Sequence, residues 1–188
     1  MSAIQLCRWL WTLLAVLWLV FAFRRKQTQE RESGVSRLLY SIPTIIAFFL
    51  LFGARVPYQW LYLKVLPRSA SMNALGVGLT AVGIGFAIWA RIYIGENWSG
   101  TVTVKVDHEL IRTGPYALVR HPIYSGLLLA TLGTGIVRGQ VRGLLAVPIL
   151  WFGFWLKTRI EERFMRKTFG HQYDEYSRTT GALVPRLR

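Results

Sequence analysis

HPIYSGLLLATLGTGIVRGQVRGLLAVPILWFGFWLKTRIEE, residues 121–162, decides the fold. Two apolar stretches, residues 123–137 and 141–156, flank a turn marked by Arg138, Gly139 and Gln140, with Arg142 just beyond it. Neither stretch reaches the ~20 residues of a comfortable perpendicular span. The pattern therefore predicts a short, tilted helical hairpin in a membrane. Polar clusters lie immediately before and after the hairpin, and its tight turn would bring them together.

Upstream, residues 6–23 form an apolar run closed by Arg24, Arg25 and Lys26. It has no small-residue cleavage site, so it reads as a retained anchor rather than a signal peptide. Residues 38–52 predict a second span, and Tyr58, Trp60 and Tyr62 after it suit an interfacial aromatic belt. Residues 72–94 predict a third span, carrying Gly76, Gly78, Gly83 and Gly85, which would let helices approach closely. The expectation is an all-α integral membrane protein of about five transmembrane helices forming a single domain, residues 1–188. Residues 1–94 supply three spans, and residues 95–188 the catalytic half: a loop, the helical hairpin and a tail helix reaching about Tyr176.

Composition agrees. Of 188 residues, 53% are hydrophobic. The 23 Lys and Arg against 9 Asp and Glu give a net charge of +14. In a soluble protein that charge would suggest nucleic acid, but the basic residues gather between and after apolar segments, where they meet membrane lipid headgroups, and no base-reading motif is present. Five Lys and Arg fall in residues 24–37 and eight from Lys157 onward, against three in residues 55–68 and two in the hairpin turn. This bias predicts that the rich segments, and with them the polar loop of residues 95–122, face the cytoplasm.

A lone Cys7 excludes an intrachain disulfide, and three histidines without carboxylates at ligand spacing make a metal site unexpected. No C-terminal prenylation box is present. Gly76-x-Gly78 lacks the strand and third glycine of a dinucleotide fold. A sequon at Asn97 falls on the side expected to be cytoplasmic, where it would have no use.

The first polar cluster contains His108, Glu109, Leu110, Ile111, Gly114, Tyr116, Arg120, His121, Pro122, Ile123 and Tyr124. His121 can donate or accept, the tyrosines bring hydroxyls on aromatic bodies, and Arg120 can fork onto a carboxylate. A polar cap on a helix N-terminus explains the same residues without chemistry. In the second cluster, Lys157, Thr158, Arg159, Glu161 and Glu162 could be a salt-bridged helix face. Yet Lys157 and Glu161, at i and i+4, share a face at the membrane boundary, where ionisable groups are costly unless used. Glu162 or His121 could serve as a base toward an amine.

The ordered set His108-x-Leu110-Ile111, Gly114-x-Tyr116, Arg120-His121-Pro122-x-Tyr124-x-Gly126, Glu161-Glu162 and Phe169-Gly170-x-x-Tyr173-x-x-Tyr176 resembles the isoprenylcysteine carboxyl methyltransferase family, whose relatives include bacterial and archaeal membrane methyltransferases and phospholipid and thiol methyltransferases. The resemblance covers about the last ninety residues. It implies an S-adenosylmethionine bed built from Thr101, His108, Glu109, Leu110, Ile111, Tyr116, Arg120, His121, Pro122, Ile123 and Tyr124, with Glu161 on the ribose side. It also implies a lipophilic substrate, with a basic residue one helical turn before that glutamate holding the acceptor carboxylate. Here that residue is Lys157, where the prenylcysteine branch has Arg; Arg159 lies nearby, a different way round the helix. Phospholipid amines and small thiols remain alternative acceptors, and a non-catalytic membrane protein is the rival from another class.

Overall fold

The structure is a computed structural model and describes residues 1–22, 28–31, 34–95, 103–105 and 110–186. Apolar runs become helices because lipid offers no partners to backbone amides, so each segment must satisfy its own. Helix α1 spans Ala3–Ala22, α2 Gly34–Phe52 and α3 Ala70–Ile94. A single turn, α4 (Pro115–Leu118), precedes α5 (Pro122–Arg138) and α6 (Val141–Phe169), and α7 (His171–Thr179) closes the chain. Trp9, Leu13, Val16 and Val20 of α1 are exposed, as residues solvated by acyl chains are.

Four helices, α1, α2, α3 and α6, are long and apolar enough to cross a membrane. The hairpin forms as expected, but its arms are unequal. Helix α5 has 17 residues, whereas α6 has 29 and continues without a break through Lys157 to Phe169. Loss of hydropathy at Lys157 marks a change of surroundings, not of backbone. Gly139 closes α5 with φ 63°, a left-handed conformation that glycine adopts without strain.

The described residues are also not wholly helical. Strands β1 (Thr28–Arg31) and β2 (Thr103–Lys105) pair antiparallel, with Thr28 opposite Lys105 and Arg31 opposite Thr103. The β-branched Thr103 and Val104 supply the propensity in β2. The pair ties the α1–α2 connection to the loop after α3.

Two of the four α3 glycines make the expected close approach. A Cβ on Gly76 would lie 2.6 Å from the Gly133 carbonyl oxygen, and one on Gly83 2.5 Å from that of Gly126. Gly78 and Gly85, on the other side of α3, face open space. Similarly, Gly153 of α6 lets Tyr40, Pro43 and Thr44 of α2 pack against its backbone. A buried polar chain crosses this core. The Trp11 indole donates to Thr134 Oγ1 (3.0 Å), Thr134 and Thr80 share a hydrogen bond (3.2 Å), and Cys7 Sγ lies 3.6 Å from Thr80 Oγ1. These contacts bind α1, α3 and α5 in one register, as interhelical polar pairs do in lipid.

Candidate functional site

Two adjacent acids on α6 point to different partners because a helix turns about 100° per residue. Glu161 accepts from the Tyr124 hydroxyl at 2.6 Å, and its other oxygen lies 3.3 Å from His121 Nδ1. Glu162 accepts from Arg120 Nε at 3.0 Å and Nη2 at 2.5 Å, and lies 3.3 Å from His121 Nε2. His121 thus bridges both carboxylates from the residue that caps α5. Pro122 and Ile123, both buried in the first turn, fix that cap.

An imidazole facing a carboxylate at each nitrogen is suited by two protons. Burial alone would lower the His121 pKa, but the hydrogen bonds and charges of Glu161 and Glu162 outweigh it and hold it above its ordinary value. Burial pushes the Tyr116 and Tyr173 hydroxyls upward, and that of Tyr176 to about 12, so all three stay protonated at neutral pH.

Arg120 grips an internal carboxylate. Besides Glu162, its guanidinium donates to the Ser177 carbonyl (3.2 Å) and the Thr180 carbonyl. The Arg120 and His121 amides donate to the Gly181 and Ala182 carbonyls, so the tail lies strapped across the front of α5. Beside this strap is a cavity of about 550 Å³ lined by Arg120, Ser177, Thr180 and Val184. That size falls in the roughly 300–1,000 Å³ range of small-molecule sites.

Lys157 and Arg159 part company. The Lys157 ammonium lies 5.0 Å from the Tyr40 ring and 5.3 Å from the Tyr124 ring, one turn before Glu161. Arg159 is exposed and stacks on Trp155 at 5.2 Å, away from the carboxylates. Tyr116 directs its hydroxyl to the Ala90 carbonyl (3.4 Å) while its own carbonyl accepts from Tyr176 (2.5 Å). Ile111 packs against Ala90, Tyr116 and Ile123, and Leu110 is half-buried. Thr101, His108, Glu109 and the sequon at Asn97 lie outside the described residues. Sequence reasoning missed Tyr40, which reaches the site only through packing of α2 on α6, and the strap residues Ser177 and Thr180, which contribute backbone carbonyls and so carry no side-chain signal.

A family profile described as phospholipid methyltransferase matches residues 71–172, more than half the chain and all of the His121–Glu161–Glu162 cluster. The chain belongs to the phospholipid methyltransferase family. The chain is similar to a cobalt-zinc-cadmium resistance protein of Cupriavidus metallidurans, 33% identical over 78% of this chain and 61% of that one, and to a probable protein-S-isoprenylcysteine O-methyltransferase of Oryza sativa, 33% identical over 58% of this chain and 60% of that one. The corresponding Schizosaccharomyces pombe protein is 32% identical over 58% of this chain and 48% of its own length. This phospholipid methyltransferase family member thus spans 48–61% of the length of these curated relatives. The solved structure of the eukaryotic intramembrane Ras methyltransferase, isoprenylcysteine carboxyl methyltransferase, shares the fold, with a TM-score of 0.51 at 24% identity over 82% of this chain and 53% of that one. Among the described residues no group of three or more His, Cys, Asp and Glu side chains could hold a metal ion.

Proposed function

We propose that this protein transfers a methyl group from S-adenosylmethionine to a lipophilic acceptor at the membrane interface, the acceptor group being the carboxylate of an isoprenylcysteine-like molecule. One observation carries the reading. Lys157 places a cation between two aromatic rings, one helical turn from a carboxylate that is already oriented by Tyr124 and His121. Family membership and the names of the plant and yeast relatives support the same chemistry.

The residues fit the cofactor. Glu161, with its side chain 17% exposed, can accept from ribose hydroxyls, and His121 and Tyr124 stack 5.7 Å apart as an aromatic wall. When bound, the cofactor supplies an electrophilic methyl carbon on a sulfonium. Displacement there is in line, so alignment and exclusion of water dominate and no covalent nucleophile is needed. A carboxylate acceptor is ionised at neutral pH and requires no base. Lys157 orients it as a point charge, and the apolar α2 and α6 faces admit its lipid tail from the bilayer. We assign Arg120 and Glu162 to positioning, because each is occupied by the other, Arg120 also by the tail carbonyls and Glu162 also by His121. His121 then holds the two acids in register. The surplus of Lys and Arg in residues 24–37 and from Lys157 onward supports a cytoplasmic position for this end.

The test is labelled methyl transfer to a farnesylcysteine analogue, phosphatidylethanolamine and a small thiol in parallel, with calorimetric binding of the cofactor in detergent. Glu161→Gln should abolish cofactor binding. Lys157→Met should raise the acceptor KM while the cofactor still binds, and Arg159→Met should change neither. Transfer to phosphatidylethanolamine alone would move the acceptor from a carboxylate to an amine, and absence of both binding and transfer would refute the enzyme reading.

A further inference from the structure

At the end of the bundle opposite His121, the chain gathers cations without anions. Residues 1–8, 53–73 and 137–142 build this end and contain Arg8, Arg55, Lys64, Arg68, Arg138 and Arg142, but no Asp or Glu. The α2–α3 connection is pinned against the hairpin turn by Val65 N–H to the Gly139 carbonyl (2.9 Å) and Val141 N–H to the Leu63 carbonyl (3.0 Å). Between these segments and the start of α1 lies a cavity of about 410 Å³ lined by Arg8, Arg68, Asn73, Arg138, Gln140 and Arg142.

The cavity is built rather than incidental. Arg142, 6% exposed, is fixed by the Gly53 carbonyl (2.9 Å), the Gln140 side chain (2.9 Å) and the Tyr62 ring at 4.5 Å. The Arg138 Nε is buried and has no hydrogen-bond partner. A buried guanidinium N–H left unpaired is costly, and four arginines around one space repel each other unless an anion joins them. Guanidinium forks match phosphate oxygens, and basic pockets between membrane helices take anionic lipid headgroups.

We infer that this cavity binds the phosphodiester of an anionic lipid, at the membrane face opposite the candidate active site. The cavity lies where α1, α3 and α5 meet the interface, beside the exposed lipid-facing apolar side chains of α1. A lipid phosphate is therefore held at the correct depth by its own acyl chains.

Native mass spectrometry and thermal unfolding in detergent test this with added phosphatidylglycerol, phosphatidylcholine or inorganic phosphate. Phosphatidylglycerol should give retained adducts and raise the unfolding temperature, whereas phosphatidylcholine should do neither at equal concentration. Arg8→Gln with Arg68→Gln, both at exposed positions where folding is not at stake, should weaken phosphatidylglycerol binding by about tenfold or more, as loss of charge-assisted hydrogen bonds implies. Arg138→Gln should abolish the thermal shift. Equal response to the two lipids, or unchanged binding in the exposed double variant, would overturn the inference. Protection by inorganic phosphate matching that of phosphatidylglycerol would overturn the lipid as the source.

Discussion

Arg120→Met removes a buried cation from a pair in which both side chains are about nine-tenths covered. The lost contacts are two donations to Glu162 and two to the Ser177 and Thr180 carbonyls. Breaking a buried pair from one side costs about 3–5 kcal/mol, because the remaining charge is left in a poor solvent. Glu162 keeps His121 at 3.3 Å and the half-exposed Arg166 at 3.4 Å, which puts the expected loss at the low end, about 3 kcal/mol. That is roughly a hundredfold in the equilibrium for lifting the tail strap. Hydrogen exchange and limited proteolysis over residues 171–186 read it directly. Arg120→Met combined with Glu162→Leu removes the stranded charge as well. It should recover about half of the loss, the remainder being the two carbonyls that no longer have a donor. If the single variant costs under about 1 kcal/mol, or if the two substitutions simply add, the pair is not the clamp its geometry implies.

The His121 pKa is raised on folding, so its contribution to stability is complete below about pH 6.5, the ordinary value, and is lost as pH rises through the raised value. Unfolding temperature measured against pH should therefore fall above neutrality in the unsubstituted protein and not in His121→Gln; parallel curves would refute the bridge. Gly83→Ala puts a methyl 2.5 Å from the Gly126 carbonyl oxygen and should destabilise by about 1–3 kcal/mol, while Gly85→Ala, facing open space, should be neutral or slightly stabilising. Equal effects at both positions, measured by thermal unfolding, would mean that α3 and α5 do not touch at Gly83.

The spans were legible because eighteen or so apolar residues in a row admit few other readings, and the short hairpin was legible from Gly139 and the charged residues around it. Hydropathy alone drops at Lys157, since a helix leaving lipid for water changes its side chains without changing its backbone; it was the i, i+4 pairing of Lys157 with Glu161 that implied a continuing helix, which ends at Phe169. Hydropathy could not show the β1–β2 pair, whose partners lie far apart in the chain and are too short to carry a pattern. Within the site, the i, i+4 spacing of Lys157 and Glu161 correctly placed both on one face. The fork of Arg120 was legible as a carboxylate grip, but not whose carboxylate: Glu162, 42 residues on, competes for the same geometry as any ligand. Tyr40 illustrates the general limit. Its position depends on Gly153 admitting α2, a fact of packing that no local signal encodes.

The buried chain from Cys7 through Thr80 and Thr134 to Trp11 also has a bearing on biogenesis. The Thr134 hydroxyl that accepts the Trp11 indole proton is synthesised 123 residues after it. Until α5 is inserted, the first helix has polar groups in the bilayer with no final partner. It cannot settle into register until α5 has followed it into the membrane. Helix α1 is therefore inserted before α3 and α5 but docks only after both are in place.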